Sequence, residues 1–200
     1  MGRIAWLLLA GIMLFGTANA VAQPQHDIRI RGVIAGFDGQ VLQVKTRAGE
    51  KLKVFVADAR VNALSAIRMS DIKRGSFVGV TAIQRGNALR ALEVHLFPEA
   101  QRGTGEGHYD WDLEPGSSMT NANVDAIVSA NNGKELTLGY KGGSQKIFVP
   151  RGVPIVTFKP VDKSFLDVGT QVFIVAHKAV NGSLTALRIL VGRNGMRPPM

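Results

Sequence analysis

Two stretches of the chain carry side chains whose types and spacing could do chemistry. The first is His108-Tyr109-Asp110-Trp111-Asp112-Leu113-Glu114, which packs aromatic and acidic groups into one short run. Asp110, Asp112 and Glu114 are hard oxygen ligands of the kind that hold Ca²⁺ or Mg²⁺, and His108 could add a nitrogen for Zn²⁺. The spacing is not that of an EF-hand loop, which needs more ligands and a glycine at a set position. Two other readings stand beside the metal site. Tyr109 and Trp111 could anchor a partner, as buried aromatics often do, or they could simply pin a linker to the domains on either side.

The second set is basic: Arg29, Arg31, Lys45, Arg47, Lys51 and Lys53. If these project outward from neighbouring strands, they form a face that attracts phosphates or other anions. Phe37, Phe55 and Phe77 fall in the apolar phase of their segments and are expected in the core. That leaves the basic face without the aromatic platforms on which single-stranded nucleic acid stacks. An anionic envelope component or an acidic protein is the expected partner, and no specific nucleic acid.

Nothing marks a catalytic centre. There is no Gly-x-Ser-x-Gly elbow and no phosphate-cradling or dinucleotide glycine motif. Asp110 and Glu114 share one short loop, whereas the carboxylates of a glycosidase flank a cleft. The chain is expected to be non-enzymatic and to need no cofactor unless the acidic segment takes a divalent metal. His95 and His177 are expected as half-exposed strand residues, and His26 belongs to the N-terminal tail.

The elements that must position these groups come from an internal repeat. Asp38-Gly39-Gln40-Val41-Leu42-Gln43-Val44 matches Asn132-Gly133-Lys134-Glu135-Leu136-Thr137-Leu138. Asp-Gly and Asn-Gly suit a type I′ hairpin turn. Leu52-Lys53-Val54-Phe55-Val56 matches Gln145-Lys146-Ile147-Phe148-Val149. Gly75 and Gly169 each precede a strand, and Leu89-Arg90-Ala91-Leu92-Glu93-Val94 matches Leu184-Thr185-Ala186-Leu187-Arg188-Ile189. Between the third and fourth strands the first copy has Ala63 to Ile67, which could form one or two helical turns. The second copy has Pro154 and Pro160 there and is expected to be extended or looped.

Five short strands per copy, with a longer connection after the third, predict an all-β protein of two tandem five-stranded OB-like β-barrel modules. The expected division is residues 26–98 for the first module, 99–122 for an acidic, aromatic, Gly-rich linker, 123–195 for the second module and 196–200 for a tail. The linker has five acidic residues against Arg102 alone, while the first module has twelve basic against six acidic and the second nine against four. The opposite signs suit a linker that docks on the modules.

The recurring β-run, glycine turn, Leu-x-Val, Gly before Val-x-Val, and closing Leu-x-Ala-Leu resemble a bacterial family of exported domains of unknown function, found singly or in tandem. Relatives that carry the block Trp111 to Ala122 are sometimes named "metal ABC transporter permease". A permease needs several membrane spans, and the sequence after the leader has no apolar run of that length. The resemblance implies the tandem all-β fold and supplies no site residues.

The first residues read as a signal peptide over residues 1–22: Arg3, an apolar run from Ile4 to Phe15, then Ala18-Asn19-Ala20, with Ala20-Val21-Ala22 as a second cleavage site. The run is shorter than the roughly 20 residues of a membrane span. A periplasmic or secreted location follows, without a membrane span after cleavage. The chain has no cysteine, so it has neither disulfides nor a lipid-modified cysteine and must rely on its core. Its net charge is +9. Intact-mass analysis of the exported protein is expected to give a chain starting at Val21 or Gln23; a mass retaining Met1 would refute cleavage.

Overall fold

The computed structural model describes residues 26–193 and 195–200. The expected signal peptide and both of its cleavage positions lie outside them. The described chain is all-β, with thirteen strands and three isolated 3-10 turns. No helix among the described residues is long and apolar enough to cross a membrane.

In chain order the strands are β1 (His26–Phe37), β2 (Val41–Thr46), β3 (Lys51–Phe55), β4 (Arg60–Ala66), β5 (Phe77–Arg85), β6 (Ala88–Leu96) and β7 (Gly107–Trp111). Then come β8 (Ser117–Ala130), β9 (Gly133–Tyr140), β10 (Gly143–Pro150), β11 (Ile155–Pro160), β12 (Gln171–Lys178) and β13 (Leu184–Gly192). Period-two alternation builds them. In β2, Leu42 and Val44 are buried while Gln43 and Lys45 are exposed. In the two matched turns a single residue is left-handed, Gly39 with φ 97° and Asn132 with φ 62°. A type I′ turn needs two such residues, so that expectation is corrected. Asp38 instead caps its turn, its Oδ1 accepting from the Gln40 and Val41 amides.

All thirteen strands belong to one continuous sheet whose pairings close two rings. One ring runs β1-β2-β3-β13-β12 and returns to β1. The other runs β8-β9-β10-β6-β5 and returns to β8. Each has four antiparallel neighbours and one parallel closure, β3 with β13 and β10 with β6. The rings do not follow the sequence copies. β5 and β6, from the first copy, complete the ring of the second, and β12 and β13 return the exchange.

β4 and β11 are the hinge of this arrangement. β4 extends the first ring by pairing parallel to β13, and β11 extends the second by pairing parallel to β6. The two then pair antiparallel with each other, Leu64 opposite Phe158. The helical turns expected at Ala63 to Ile67 are therefore strand. Val61 to Leu64 are all buried, and between two neighbouring strands an extended backbone finds partners for its N–H and C=O groups on both sides. The proline-bearing counterpart is extended, as expected. β8 crosses the boundary expected at residues 122 and 123.

Three apolar clusters result. One fills the first ring, with Ile30, Leu42, Val54, Ile174 and Ile189 among its members. One fills the second, with Val80, Val94, Val124, Leu136 and Ile147. The third lies between the rings and holds Leu64, Phe77, Phe97, Phe158, Phe173, Leu190 and Met200. Its aromatic rings meet edge-on or tilted, Phe97 to Phe158 at 5.3 Å and Phe77 to Phe97 at 5.1 Å, and each such pair is worth about 0.5–1.5 kcal/mol beyond its buried area.

A segment of residues 26–98 carries three strands of one ring and two of the other. Expressed alone, it is expected to be unfolded or a strand-exchanged dimer by circular dichroism and light scattering. A stable folded monomer would show that the exchange is dispensable.

Candidate functional site

The acidic, aromatic segment is a strand and not a free loop. β7 lies antiparallel to the first half of β8, with Tyr109 opposite Met119 and Trp111 opposite Ser117. Alternation turns Tyr109 and Trp111 toward the layer between the rings, where Trp111 packs 6.4 Å from Phe173. His108 and Asp110 take the other face. His108 Nδ1 is 2.8 Å from Thr120 Oγ1.

The six basic residues separate into two groups. Arg29 and Arg31, on β1, face the layer and meet β7. The Arg29 guanidinium stacks 3.9 Å from the Trp111 ring centre. Arg31 donates two hydrogen bonds to Asp112, at 2.8 and 3.2 Å, and a third at 2.9 Å to the Met200 carbonyl oxygen. Arg47 donates to the Pro198 carbonyl oxygen at 3.1 Å. These three arginines hold the linker and the tail of the chain against the first ring.

Burial alone would raise the Asp112 carboxyl, but the Arg31 hydrogen bonds and the charges of Arg31 and Arg29 outweigh it and hold it below the usual carboxylate range. The Arg47 guanidinium is lowered by burial and then by the like charges of Arg197 and Arg31.

Lys45, Lys51 and Lys53 are free of such ties. All three are exposed on the outer face of β2 and β3. Lys45 stands directly opposite Lys51, and Lys53 opposite Gln43. Among the described residues none of the three has a carboxylate within ion-pair distance. Like charges placed directly opposite one another destabilise a sheet, so this face is a local concentration of positive charge, in which Lys53 also feels the Asp38 carboxylate.

Phe55 shares that face, which corrects its expected place in the core. β3 turns Lys51, Lys53 and Phe55 outward and Leu52 and Val54 inward, leaving Phe55 48% exposed. Phe77 is buried, as expected, and Phe37 is partly buried against the first cluster. The repeat makes Phe55 more telling. Its counterpart in the other ring, Phe148, is paired with Arg90, whose guanidinium covers the ring at 5.4 Å. The residue paired with Phe55 is Thr185, too short to cover an aromatic face. The other ring also has Gly139 and Ser144 where Lys45 and Lys51 stand in the first.

His108, Asp110, Asp112 and Glu114 are not gathered. Asp112 is taken by the arginines, His108 is turned to Thr120, and Asp110 and Glu114 are exposed. Among the described residues no group of three or more His, Asp or Glu is placed to hold a metal ion.

Sequence reasoning missed a second set of polar residues. A bulge in β6 at Leu92, opposite Thr81 and Ala82, shifts its register. Past the bulge Val94 and Leu96 face the second ring's core while Glu93 and His95 face the layer between the rings, where they are buried at 0% and 5% exposure, so His95 is not the half-exposed residue expected. Glu93 Oε1 accepts from Thr81 Oγ1 at 2.7 Å and lies 3.5 Å from His95 Nδ1. Asn62, Thr120 and Asn121 are buried too. The available signal was a charged pair, Glu93 and Arg188, at matched positions of otherwise apolar closing strands. Protein-family models, curated proteins and solved structures were all compared with the chain, and none matches it.

The Asp112 carboxyl is depressed, so its contribution is present above the usual carboxylate range and lost as pH falls through the lowered value. Trp111 is the sole tryptophan among the described residues, and it reports on this contact. Its emission is expected to shift below the usual carboxylate range in wild type. In Asp112→Asn that acid step should vanish; an unchanged step would mean another group controls the docking.

Proposed function

We propose that the chain is a non-enzymatic binding module of the periplasm or cell exterior, which holds an anionic glycan of the envelope on the outer β2–β3 face of its first ring. The observation that carries this reading is the exposed Phe55 set among Lys45, Lys51 and Lys53. An aromatic face offers a stacking surface for a sugar ring, and the lysines beside it would meet carboxylate, sulfate or phosphate groups along the polymer.

Each ring follows the strand order of an OB-like barrel, first to second to third to fifth to fourth, with the third and fifth parallel. The chain is then two OB-like barrels in tandem that have exchanged their fourth and fifth strands. In such barrels the face of the second and third strands takes oligosaccharides and oligonucleotides, and here that face is β2 and β3. The expected export of the protein favours the glycan. The matched face of the second ring, with Gly139, Ser144 and a covered Phe148, lacks the same equipment.

The test is a titration with a heparin-derived hexasaccharide at several salt concentrations, with a single-stranded oligonucleotide of matched charge as competitor. Hexasaccharide binding is expected to fade as salt rises. Lys51→Ala with Lys53→Ala should weaken binding and flatten its salt dependence. Phe55→Ala should weaken it about tenfold, roughly 1.4 kcal/mol, with the salt dependence kept. Binding indifferent to both changes would overturn the proposal, and preference for the oligonucleotide would move the ligand class to nucleic acid.

A further inference from the structure

The layer between the rings contains a cavity of about 90 Å³. Its walls combine Asn121, His95 and Trp111 from the second ring's side with Asn62, Arg188 and Phe173 from the first. Such a volume holds several waters or one compact organic molecule. Three of the residues around it have buried polar atoms without a hydrogen-bond partner, Trp111 Nε1, Asn121 Oδ1 and Arg188 Nε, while His95 Nδ1 faces Glu93 Oε1 at 3.5 Å. Buried polar groups are nearly always satisfied, and clustered exceptions mark the place of a ligand or ordered water.

Arg188 is the strongest of these. No hydrogen bond to it forms among the described residues, and no carboxylate lies within ion-pair distance. Burial lowers its guanidinium, partly offset by Tyr109. Arg188 is partly buried with its Nε shielded from solvent, and a cation so desolvated without a counter-ion is costly. Trp111 adds a second donor, which can only donate.

Asn121 adds the opposite polarity. Its Nδ2 donates to the carbonyl oxygens of Thr104 and Gly105, both at 3.2 Å, so the side-chain orientation is fixed and Oδ1 is left as an acceptor. That oxygen and the His95 ring lie over Gly79, where a Cβ would fall 2.5 Å from Oδ1 and 2.0 Å from His95 Nε2. Only glycine at 79 admits both groups. The matched position in the other copy is Phe173, which fills the same kind of space with a ring.

We propose that this cavity binds a small monocarboxylate bearing a hydrogen-bond donor on the adjacent carbon, a 2-hydroxy or 2-amino acid. Arg188 and Trp111 Nε1 hold the carboxylate, and Asn121 Oδ1 accepts from the hydroxyl or amine. Phe97, Phe158 and Leu190 take a short apolar tail. Bare sulfate or acetate meets the two donors but leaves Asn121 Oδ1 unpaired, and so binds less well. The glycan face lies on the outside of the first ring and is independent of this site.

The probes are L-lactate, L-alanine and acetate, added to the full chain while the Trp111 indole ¹H–¹⁵N resonance is followed. Lactate or alanine is expected to shift it saturably, with at least tenfold weaker binding of acetate. Arg188→Met should abolish the shift. Since that variant could fold poorly, Asn121→Ala is the second variant and should bring lactate and alanine down to the strength of acetate; a wild-type preference for lactate in that variant would overturn the proposal. A wild-type indole resonance indifferent to all three acids would overturn the proposal and leave the cavity to water. Equal binding of acetate would overturn the role given to Asn121.

Discussion

A parallel pair of strands cannot be joined by a tight turn; it needs a long crossover. Each ring here closes through one such pair, β3 with β13 and β10 with β6. The segment after the third strand is where the crossover must be made. In this chain that segment is itself a strand, β4 or β11, laid against the closing strand of its own ring and then against its counterpart. From there the chain emerges on the far side, and its next two strands enter the other ring. Strand exchange, the central layer and the cavity within it follow from that step.

The exchange also disposes of edges. Unpaired strand edges invite association with other chains, and a closed ring has none. With both rings closed and β4 and β11 paired between them, every strand but β7 has neighbours on both sides over part of its length. A chain without cysteine and, among the described residues, without long helices has few other means of stapling its halves together, and here every ring contains covalently distant strands.

The central layer is where polarity concentrates. Its ring-two side carries Glu93, His95 and Asn121, and its ring-one side carries Arg29, Arg31 and Arg188. Arg29 and Arg31 find Trp111 and Asp112, so the acidic linker neutralises part of the basic face it covers. Arg188, deeper, finds none. The outer β2–β3 face differs in kind. It is a solvent-exposed patch of like charge with an uncovered aromatic, suited to a polymer that approaches from outside, while the layer suits a small molecule held within.

Much of this was legible in residues alone. The period-two runs, the two copies and the strand-opening glycines determine the pattern of about ten strands, because alternation of side chains across a strand is a local property; β4, β7 and β11 were not among them. The basic residues of β2 and β3 and the aromatic pair of β7 were likewise visible as types at spacings. Partnership was not. Which copy's strands complete which ring depends on the path of β4 and β11, and identical local patterns fit both pairings. Phe55 looked like core because its neighbours are apolar, but its exposure was decided by the phase of β3 and by the short Thr185 beside it. Glu93 and His95 looked like strand surface, but past a bulge at Leu92 they face the layer between the rings, which covers them. The sequence determined strands, signs of charge and repeats; the tertiary structure decided their partners, because hydrogen bonding between strands joins residues that no local pattern connects.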